Sequence, residues 1–396
     1  MWRWRPSNDD MRRVRWRCHG FALLAVLIGV TVVGYVVLLA LHQPLAQLDL
    51  VPHVFHEAVG RRTSPRTRSL PVVPLGVDSQ ALCGGRLVAY GRQFAMLRDA
   101  VVDRRLCRSE RKGGEPIDVV LNQPESVEYY SVDGGCFRLA CPPNRPVTST
   151  ELDYMFAGTD NHLNAWLRGL QLTTDNAAAA DVDTRTRFTI AVTRYEYANL
   201  YHTMTDWYNA FLLVCFFNET SHSTDILFVD SHPNGALDRV WRRLFRRTLR
   251  LSDLSADRPT SFSRLVWGWL GYNSLMTVYQ SSPTPPLIEE FRRFFLSGYG
   301  LPTSSTAQQD CAGMRLSVLF IWRRDYVAHP RNPQGSVTRK IANENELLSR
   351  VSSLLPTARV TGVQIDLYTM DEQLRMVVEA DILIGEHPVC CLVYCL

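Results

Sequence analysis

The sequence predicts an α/β chain in which two units of alternating strands and helices follow an N-terminal membrane segment. Apolar runs alternate with amphipathic stretches between residues 188 and 295, and the same alternation starts again at residue 316. Alternation of this kind is typical of parallel sheets. Residues 21–41 are apolar and contain no charge. The 396 residues suffice for this anchor and two domains of ordinary size.

The apolar run is long enough to cross a bilayer, which takes about 20 residues. Several arginines precede it, so the positive-inside rule places residues 1–20 in the cytoplasm. A cleaved signal peptide is the alternative, but its apolar region is normally only about 7–15 residues long. We expect an uncleaved signal anchor at 21–41 with single-pass type II topology. Residues 42–75, rich in proline and arginine, are expected to form a stem.

The alternation predicts two Rossmann-like domains, over residues 76–300 and 301–396, that face each other across a cleft with a hinge between 297 and 314. Residues 81–146 are expected to be β-rich or irregular. Strands are predicted at 188–192, 226–229, 265–269, 316–322, 360–366 and from 381. Helices are predicted at 193–208, 236–249, 287–295, 344–354 and 370–379.

The helix predicted at 193–208 carries a candidate site. At about 100° per residue, Glu196, His202, Thr203 and Asp206 fall within roughly 60° of Asn199, opposite an aromatic stripe. A surface helix with its polar face in water is the interpretation that pattern alone favours. His202 and Asp206 are four residues apart and can touch. A carboxylate beside an imidazole makes a base suited to deprotonating a hydroxyl.

This stretch, Thr-Arg-Tyr-Glu-Tyr-Ala-Asn-Leu-Tyr-His-Thr-Met-Thr-Asp-Trp-Tyr, resembles the signature segment of the plant-type β-1,2-xylosyltransferases of glycosyltransferase family 61. The resemblance implies a GT-B arrangement and an active-site role for the polar face. The implied catalytic residues are His202, Asp206 and Glu196, of which the base stays open. Asn199 and Arg194 are expected to bind acceptor sugar.

The resemblance continues at residues 321–330 and 341–346, in the half that the family uses for the nucleotide sugar. Arg323 and Arg324 follow the strand predicted at 316–322, and guanidinium groups pair with phosphate oxygens in a bidentate manner. A solvated Arg-Arg turn is the plainer interpretation. The expected donor-binding residues are Arg323, Arg324, Glu344, Gly385 and His387.

After Gly385 the sequence departs from the family pattern, in which a His-Gly-Ala-Gly-Leu turn follows. His387 stands where the family histidine would, but Pro388 and two cysteines replace the glycines. Proline removes a backbone donor and fixes its dihedral angle. We therefore expect a divergent or truncated donor domain that lacks its last elements.

The resemblance implies an inverting enzyme that moves xylose from UDP-xylose to the core mannose of N-glycans in the Golgi or endoplasmic reticulum. A β-N-acetylglucosaminyltransferase that uses UDP-GlcNAc is the runner-up, and a non-catalytic, membrane-tethered glycan- or partner-binding relative is the alternative from another class. We expect neither cofactor nor metal, although residues 181–183 match Asp-x-Asp and Asp230-Ser231-His232 follows a strand. Nucleic-acid binding is not expected, because no arginine cluster is interleaved with aromatic residues.

Cysteine usage and one tripeptide fit a lumenal location. Six cysteines between residues 83 and 311 would lie in an oxidising lumen. Their pairing cannot be deduced from sequence, although Cys136 and Cys141 could close a small loop. Asn218-Glu219-Thr220 is an N-glycosylation acceptor pattern.

Overall fold

A computed structural model describes most of the chain from residue 79 to residue 385. The described residues are 79–90, 94–129, 131–132, 135–148, 150–151, 169–174, 181–268, 274, 276, 285–303, 315–327, 329–335, 337–338 and 340–385. The predicted anchor, the stem and His387 lie outside them. Within these ranges, none of the helices has the length and apolar character that a membrane crossing needs.

The described part of the chain is a mixed α/β structure whose larger sheet has ten strands in the order β1-β2-β3-β10-β4-β5-β6, with β7, β8 and β9 branching from β10. Its strands are β1 (Ser79–Leu82), β2 (Leu87–Tyr90), β3 (Phe94–Leu97), β4 (Ala100–Val102), β5 (Phe137–Ala140), β6 (Leu170–Thr173), β7 (Asp183–Val192), β8 (Asp225–Phe228), β9 (Arg247–Arg250) and β10 (Thr260–Trp267).

One part of this sheet is parallel. Strands β10, β7, β8 and β9 lie side by side with parallel pairing, while β3 and β4 pair with β10 in the antiparallel sense. The helices of this half are α1 (Ile117–Val120), α2 (Glu125–Tyr129), α3 (Leu200–Phe216), α4 (Asp238–Leu244) and α5 (Ile288–Gly298). Because α3 connects β7 to β8 and α4 connects β8 to β9, the predicted strand–helix alternation is confirmed here.

Hydrophobic cores lie on both faces of the larger sheet. On one face, α3 and α5 pack through aromatic pairs such as Trp207 with Phe295 and Tyr208 with Phe291. On the other face, Phe137 packs edge-on against Trp267 within a second buried cluster. Strands covered on both faces explain the continuous apolar runs of β8 and of the second half of β7.

Helix α3 begins later than the sequence predicted. Asn199 is extended, and its side-chain oxygen accepts hydrogen bonds from the backbone N–H groups of Tyr201 and His202, so that it is the N-cap. Residues 193–199 therefore form the loop that leaves β7. The prediction of one helix from residue 193 is wrong, because asparagine satisfies the first free N–H groups of a helix better from outside it.

Helix α3 also lacks the water-facing polar side that the helical pattern alone favoured. Thr203, Asp206 and Asn209 are buried together with the aromatic residues. Sheet strands cover one side of the helix and α5 covers another, and the side-chain oxygen of the buried Asn209 accepts a hydrogen bond from the Ser274 hydroxyl. Polar residues at helical spacing were therefore a poor guide to exposure, because the surrounding elements enclose the whole middle of the helix.

The helix predicted at 236–249 is two elements. Helix α4 ends at Leu244, and β9 follows and pairs with β8 in parallel. Leu249 of β9 is buried, as is Leu251 just after the strand, because β9 enters the core. The other predicted strands and helices of this half are confirmed, with boundaries displaced by a few residues.

The smaller sheet consists of three parallel strands in the order β12-β11-β13. They are β11 (Ser317–Trp322), β12 (Arg359–Gln364) and β13 (Ile382–Gly385), accompanied by α6 (Glu344–Leu354) and α7 (Met370–Glu379). Both helices match their predicted bounds. All residues of β11 are buried, and Gly362 of β12 lies so close to the Trp322 indole that an added Cβ would clash with it.

Two disulfides tie the antiparallel region together, Cys83–Cys141 and Cys107–Cys136. The suggested loop closed by Cys136 and Cys141 is wrong. These cysteines flank β5 at opposite ends, and a strand rises about 3.3 Å per residue, which keeps its two ends too far apart to bond. Cys215 is buried and has no disulfide partner within the part of the chain that the structure describes.

Replacing Cys107 and Cys136 with serine is expected to lower the free energy of unfolding by about 2–4 kcal/mol, because the bond closes a loop with a sequence separation of 29. Denaturant titration followed by circular dichroism measures the change. Cys215→Ala serves as a control that removes a buried thiol without breaking a crosslink. Equal stability of the double variant and the parent would mean that this disulfide does not form.

Candidate functional site

The candidate site lies where β7 and β8 end. In parallel α/β sheets, ligands bind at the carboxyl ends of the strands. β7 ends at Val192 and is followed by Arg194 and Glu196, whereas β8 ends at Phe228 and is followed by Asp230 and His232. Short side-chain distances, given below, connect the two loops.

Arg194 is the buried hub beneath the site. Its guanidinium contacts Asp230 at 2.7 Å and Asp238 at 2.8 Å, and it is stacked over the Phe228 ring at 4.1 Å. Burial alone would raise the pKa of Asp230, but the charge of Arg194 outweighs it and holds that pKa far below its usual range. Arg250 adds a second cation at 2.5 Å from Asp238. This cluster joins the ends of β7 and β8 to helix α4.

The same contacts correct the role predicted for Arg194. The side chain is 1% exposed, and its donors are directed at the two aspartates and at the His232 carbonyl. A guanidinium that is buried and paired in this way is out of reach of a sugar. Arg194 positions the loops of the site and is not an acceptor contact.

Glu196 presents a carboxylate with one occupied and one open oxygen. Its Oε1 accepts hydrogen bonds from the Ala198 backbone N–H and from His329 Nε2, both at 3.0 Å. Its Oε2 has no hydrogen-bond partner among the described residues, and the side chain is 18% exposed. Burial opposes ionisation, but the bonds from His329 and Ala198 prevail and lower the pKa of Glu196. The group is therefore ionised and oriented at neutral pH.

His329 reaches this carboxylate from the segment that follows β11. Its Nδ1 accepts a hydrogen bond from the Arg331 backbone N–H at 3.2 Å, which leaves Nε2 to donate to Glu196. The hydrogen bond to Glu196 raises the pKa of His329. Sequence reasoning did not assign a role to His329, although it stands in the family-like stretch 321–330. Its position after the carboxyl end of a strand was the available signal.

A second buried pair lies beside the first. Glu128 Oε2 is 2.9 Å from His232 Nδ1, both side chains are fully buried, and the other carboxylate oxygen of Glu128 accepts from Arg331. The His232 ring packs against Tyr129 and Tyr197, with ring centroids 4.6 Å and 5.0 Å apart. Sequence reasoning missed Glu128 and Arg331, because neither stands in a recognisable motif.

His202 lies near Glu196. Its ring packs on Tyr195 and Tyr201 at centroid distances of 4.5 Å and 5.2 Å. Burial lowers the pKa of His202, although the nearby Glu196 charge opposes this. The imidazole is thus biased toward its neutral form, and a neutral imidazole is able to accept a proton.

Asp206 does not fit the predicted role of a charged partner for His202. It is 3% exposed, and Oδ2 has no hydrogen-bond partner among the described residues. Burial raises its pKa well above the usual value and the nearby Asp230 charge raises it further, whereas a hydrogen bond that it accepts from the Tyr195 backbone N–H and the Arg194 charge lower it. The cause is the burial of the middle of α3, which places this carboxyl against the Arg194 cluster in its neutral form.

Asp206→Asn is accordingly expected to retain activity. Because the folded-state pKa of Asp206 is raised, the parent loses stability as the pH rises above the unfolded value of about 3.9. The asparagine side chain does not titrate. The melting temperature of the variant should therefore rise relative to that of the parent as the pH increases from about 4 to neutrality. Thermal melts across this range measure the difference. A large loss of activity in Asp206→Asn would mean that an ionised Asp206 is required.

Neither of the two aspartate motifs considered for a metal, at Asp230 and at Asp181, offers free carboxylate ligands. Both oxygens of Asp230 accept from Arg194, and the His232 backbone N–H adds a further bond to Oδ1. Asp181 is exposed and paired with Arg258 at 2.8 Å. Across the described ranges, no three or more His, Cys, Asp or Glu residues are grouped as metal ligands. A metal at Asp230 would have to displace a buried guanidinium.

The predicted donor residues follow the carboxyl ends of the smaller sheet. Arg324 donates to Glu344 at the start of α6, with an Nε–Oε2 distance of 3.1 Å. The two side chains are therefore already paired with each other. Arg323 is partly buried, and its Nη1 has no hydrogen-bond partner among the described residues. Gly385 of β13 pairs with Ile321 of β11 at the same edge. Arg323 thus differs from Arg324 in keeping a buried donor atom that no described residue engages.

Two further predicted residues lie at the surface. Asn199 is exposed, and its side-chain oxygen is used in capping α3. Asn218 is exposed just after α3, in the left-handed region at φ 52°. Its position leaves the predicted glycosylation acceptor accessible.

Comparison with known proteins gives two similar relatives. A β-1,2-xylosyltransferase of Oryza sativa subsp. japonica, RCN11, is 26% identical over 310 residues, which cover 70% of this chain and 56% of the relative. A β-1,2-xylosyltransferase of Arabidopsis thaliana is 25% identical over 364 residues, which cover 76% of this chain and 65% of the relative. The chain therefore spans less than two thirds of either relative. No family model matches it.

Proposed function

We propose that this chain, a relative of the β-1,2-xylosyltransferases of glycosyltransferase family 61, is an inverting glycosyltransferase that moves xylose from UDP-xylose to the core mannose of N-glycans. The names of both relatives support the reaction class and the sugar. The proposed linkage is β-1,2. UDP-xylose is a co-substrate, and the reaction as proposed uses no metal.

The observation that carries this proposal is the open oxygen of Glu196 at the carboxyl ends of the parallel strands. Oε1 is held by two donors, so Oε2 is oriented without being occupied by any of the described residues. A hydroxyl is a poor nucleophile until its proton is taken, and a positioned carboxylate supplies general-base catalysis. We therefore assign the base to Glu196. His202, neutral and adjacent, is the second candidate for this role.

The proposed reaction is a single displacement. The oxygen of the acceptor hydroxyl bonds to the anomeric carbon while Glu196 Oε2 takes the proton of that hydroxyl. The bond from that carbon to the β-phosphate oxygen breaks on the opposite face, and UDP leaves with the electron pair. Attack from the opposite face inverts an α-linked donor to a β-linked product.

The departing diphosphate needs positive charge, and fixed guanidinium groups stabilise developing negative charge. We assign Arg323 to the pyrophosphate, since its Nη1 lacks a protein partner among the described residues. Arg324 and Glu344 are paired with each other, so we propose that they shape the donor site and do not contact the diphosphate. Gly385 and His387 remain proposed donor residues, and Asn199 a proposed acceptor contact.

The arrangement of the chain in the cell is part of the proposal. We propose a GT-B pair of domains, over residues 76–300 and 301–396, carried on a type II anchor at 21–41 in the Golgi or endoplasmic reticulum. The two disulfides support an oxidising lumen, because disulfides are rare in the cytosol.

A transfer assay tests the proposed function. The full chain, purified in detergent, is incubated with a mannose-core N-glycopeptide and either UDP-xylose or UDP-GlcNAc, and the products are weighed by mass spectrometry. We expect the mass gain of one pentose, with and without a chelator. A mass gain of one N-acetylhexosamine would show that the donor is UDP-GlcNAc and not UDP-xylose. Glycopeptide binding without turnover on either donor would favour a non-catalytic relative and overturn the enzyme.

A further inference from the structure

The segment after β11 leaves the smaller sheet, and two of its side chains bond to loop and helix residues from the part of the chain that forms the larger sheet. His329 bonds to Glu196, and Arg331 reaches the region of α1 and α2. We call residues 329–331 the strap. These contacts join positions separated by 133 and 208 residues in the sequence.

Arg331 anchors the strap. Its Nη1 donates to the Gln123 carbonyl at 3.0 Å, and its Nη2 donates to the Val120 carbonyl at 3.1 Å and to the Glu128 carboxylate. The side chain is 12% exposed, and Glu128 is fully buried. Charge-assisted bonds to a buried carboxylate are among the strong ones, and removing one partner leaves an uncompensated charge. The strap is therefore firmly held at this end.

Glu128 is itself fixed. Its other oxygen bonds to His232 Nδ1, and His232 stands in the loop that follows β8. The anchor of the strap is thus attached to the loops that carry the candidate site. The anchoring carboxylate is inaccessible to substrate.

The backbone of Arg331 passes this anchoring on to Glu196. Its N–H donates to His329 Nδ1, which fixes the ring so that Nε2 faces Glu196 Oε1. Nothing in the loop of Glu196 itself replaces this donor, since the other bond to Oε1 comes from the Ala198 backbone. A shift of the strap would free the carboxylate to rotate.

We propose that Arg331 and Glu128 are positioning residues that hold His329 against Glu196 and thereby orient the proposed catalytic carboxylate. The inference deepens the proposed function and rests on it. It also makes the orientation of the base depend on the segment that begins at Arg323, the proposed pyrophosphate contact. Neither positioning residue is expected to touch substrate.

The titration of Glu196 gives a specific readout. Two groups that face it, His329 and His232, lower its pKa. Its own charge acts to raise the pKa of three others, His202, Tyr129 and Tyr197. Losing the bond from His329 raises the pKa of Glu196. The acid limb of kcat/KM reports protonation of the base in the free enzyme, so this limb should move to higher pH.

The experiment compares Arg331→Met, Arg331→Lys and His329→Leu in the full chain. We expect Arg331→Met to lower kcat by about 10- to 100-fold, because displacement of a catalytic group by about 1 Å has such effects. KM should change little, and the acid limb should move upward as in His329→Leu. The double variant should be no worse than the poorer single variant. Arg331→Lys keeps the charge and should restore part of kcat.

The matched control is Arg258→Met, which breaks an exposed pair with Asp181 beside the opposite, amino ends of β7 and β10. It is expected to leave the pH profile unchanged. An unshifted acid limb in both Arg331→Met and His329→Leu, or strictly multiplicative effects in the double variant, would overturn the positioning role.

Hydrogen exchange separates this inference from the proposed function. Arg331→Met should speed amide exchange in residues 195–203, whereas Arg331→Lys and Arg258→Met should not. A parent chain without transferase activity would sink the proposed function, while this exchange result would still support the anchoring of Glu196. If Arg331→Met fails to fold, His329→Leu, which alters a partly exposed side chain, gives the same exchange test. Unchanged exchange in His329→Leu would overturn the inference.

Discussion

Glu196→Gln is expected to lower kcat for sugar transfer by about 10²- to 10⁴-fold, the range of general-base catalysis. The substitution keeps the shape of the side chain, and its amide oxygen can still accept from Ala198 and His329. What it removes is the ability to take a proton. Product formation from UDP-xylose, measured at saturating donor and acceptor, checks the loss. Unchanged melting temperature would show that the fold is intact.

The control for this variant is Glu290→Gln, which alters a partly exposed carboxylate paired with Arg293 at 2.7 Å on helix α5. It should leave transfer unchanged. Near-parental activity of Glu196→Gln, together with a large loss in His202→Ala, would move the base to His202. The pH profiles also differ. Glu196 has a lowered pKa and would keep activity far into the acid range, whereas a histidine base would lose it sooner.

Arg194→Met is expected to lower the free energy of unfolding by about 3–5 kcal/mol, the usual cost of removing one partner of a buried ion pair. The substitution leaves Asp230 buried without its main cation, while Asp238 keeps Arg250. Methionine retains much of the packing volume over Phe228, so the loss reports mainly on charge. Chemical denaturation gives the measurement. Arg258→Met, which breaks an exposed pair, should change stability little.

The pH dependence of the same variant has a defined sign. In the parent, the lowered pKa of Asp230 contributes stability above the unfolded value of about 3.9, which is lost as the pH falls toward the folded value. Without Arg194, that pKa rises toward or above the unfolded value. The acid-induced loss attributable to Asp230 should therefore shrink or reverse. A parent-like slope between about pH 5 and 2 in Arg194→Met would contradict the assigned pairing.

The second half of the chain shows how far local pattern reaches. The bounds of α6 and α7 were predicted correctly, and β11 within one residue, because each stretch has a clear period and a distinct start. Thr369, for example, caps α7 with Glu372 three residues further on, a signal readable in sequence. The start and the polar face of helix α3 were predicted wrongly, because here the local pattern was not decisive. Its start is set by Asn199, and its polar residues are enclosed by neighbouring elements.

The candidate site was predictable only in part. Glu196 was identified because it stands in a family-like stretch, and Arg323 because it follows a strand. Asp206 was misjudged, since a sequence shows that two side chains are four residues apart but not that one of them is buried. Glu128 and Arg331 could not be identified from the sequence, because their role comes from the contact between them in the folded structure.

By itself, then, the sequence determined the strand–helix order, the resemblance to xylosyltransferases, and the loops that follow the parallel strands. Periodicity is a local property, and it is written along the chain. The tertiary structure alone decided which carboxylates are ionised and which cysteines are bonded. It also brought His329 to Glu196 and Arg331 to Glu128, across 133 and 203 residues of sequence. Burial and charge pairing depend on elements packed from distant segments, and local pattern carries no record of them.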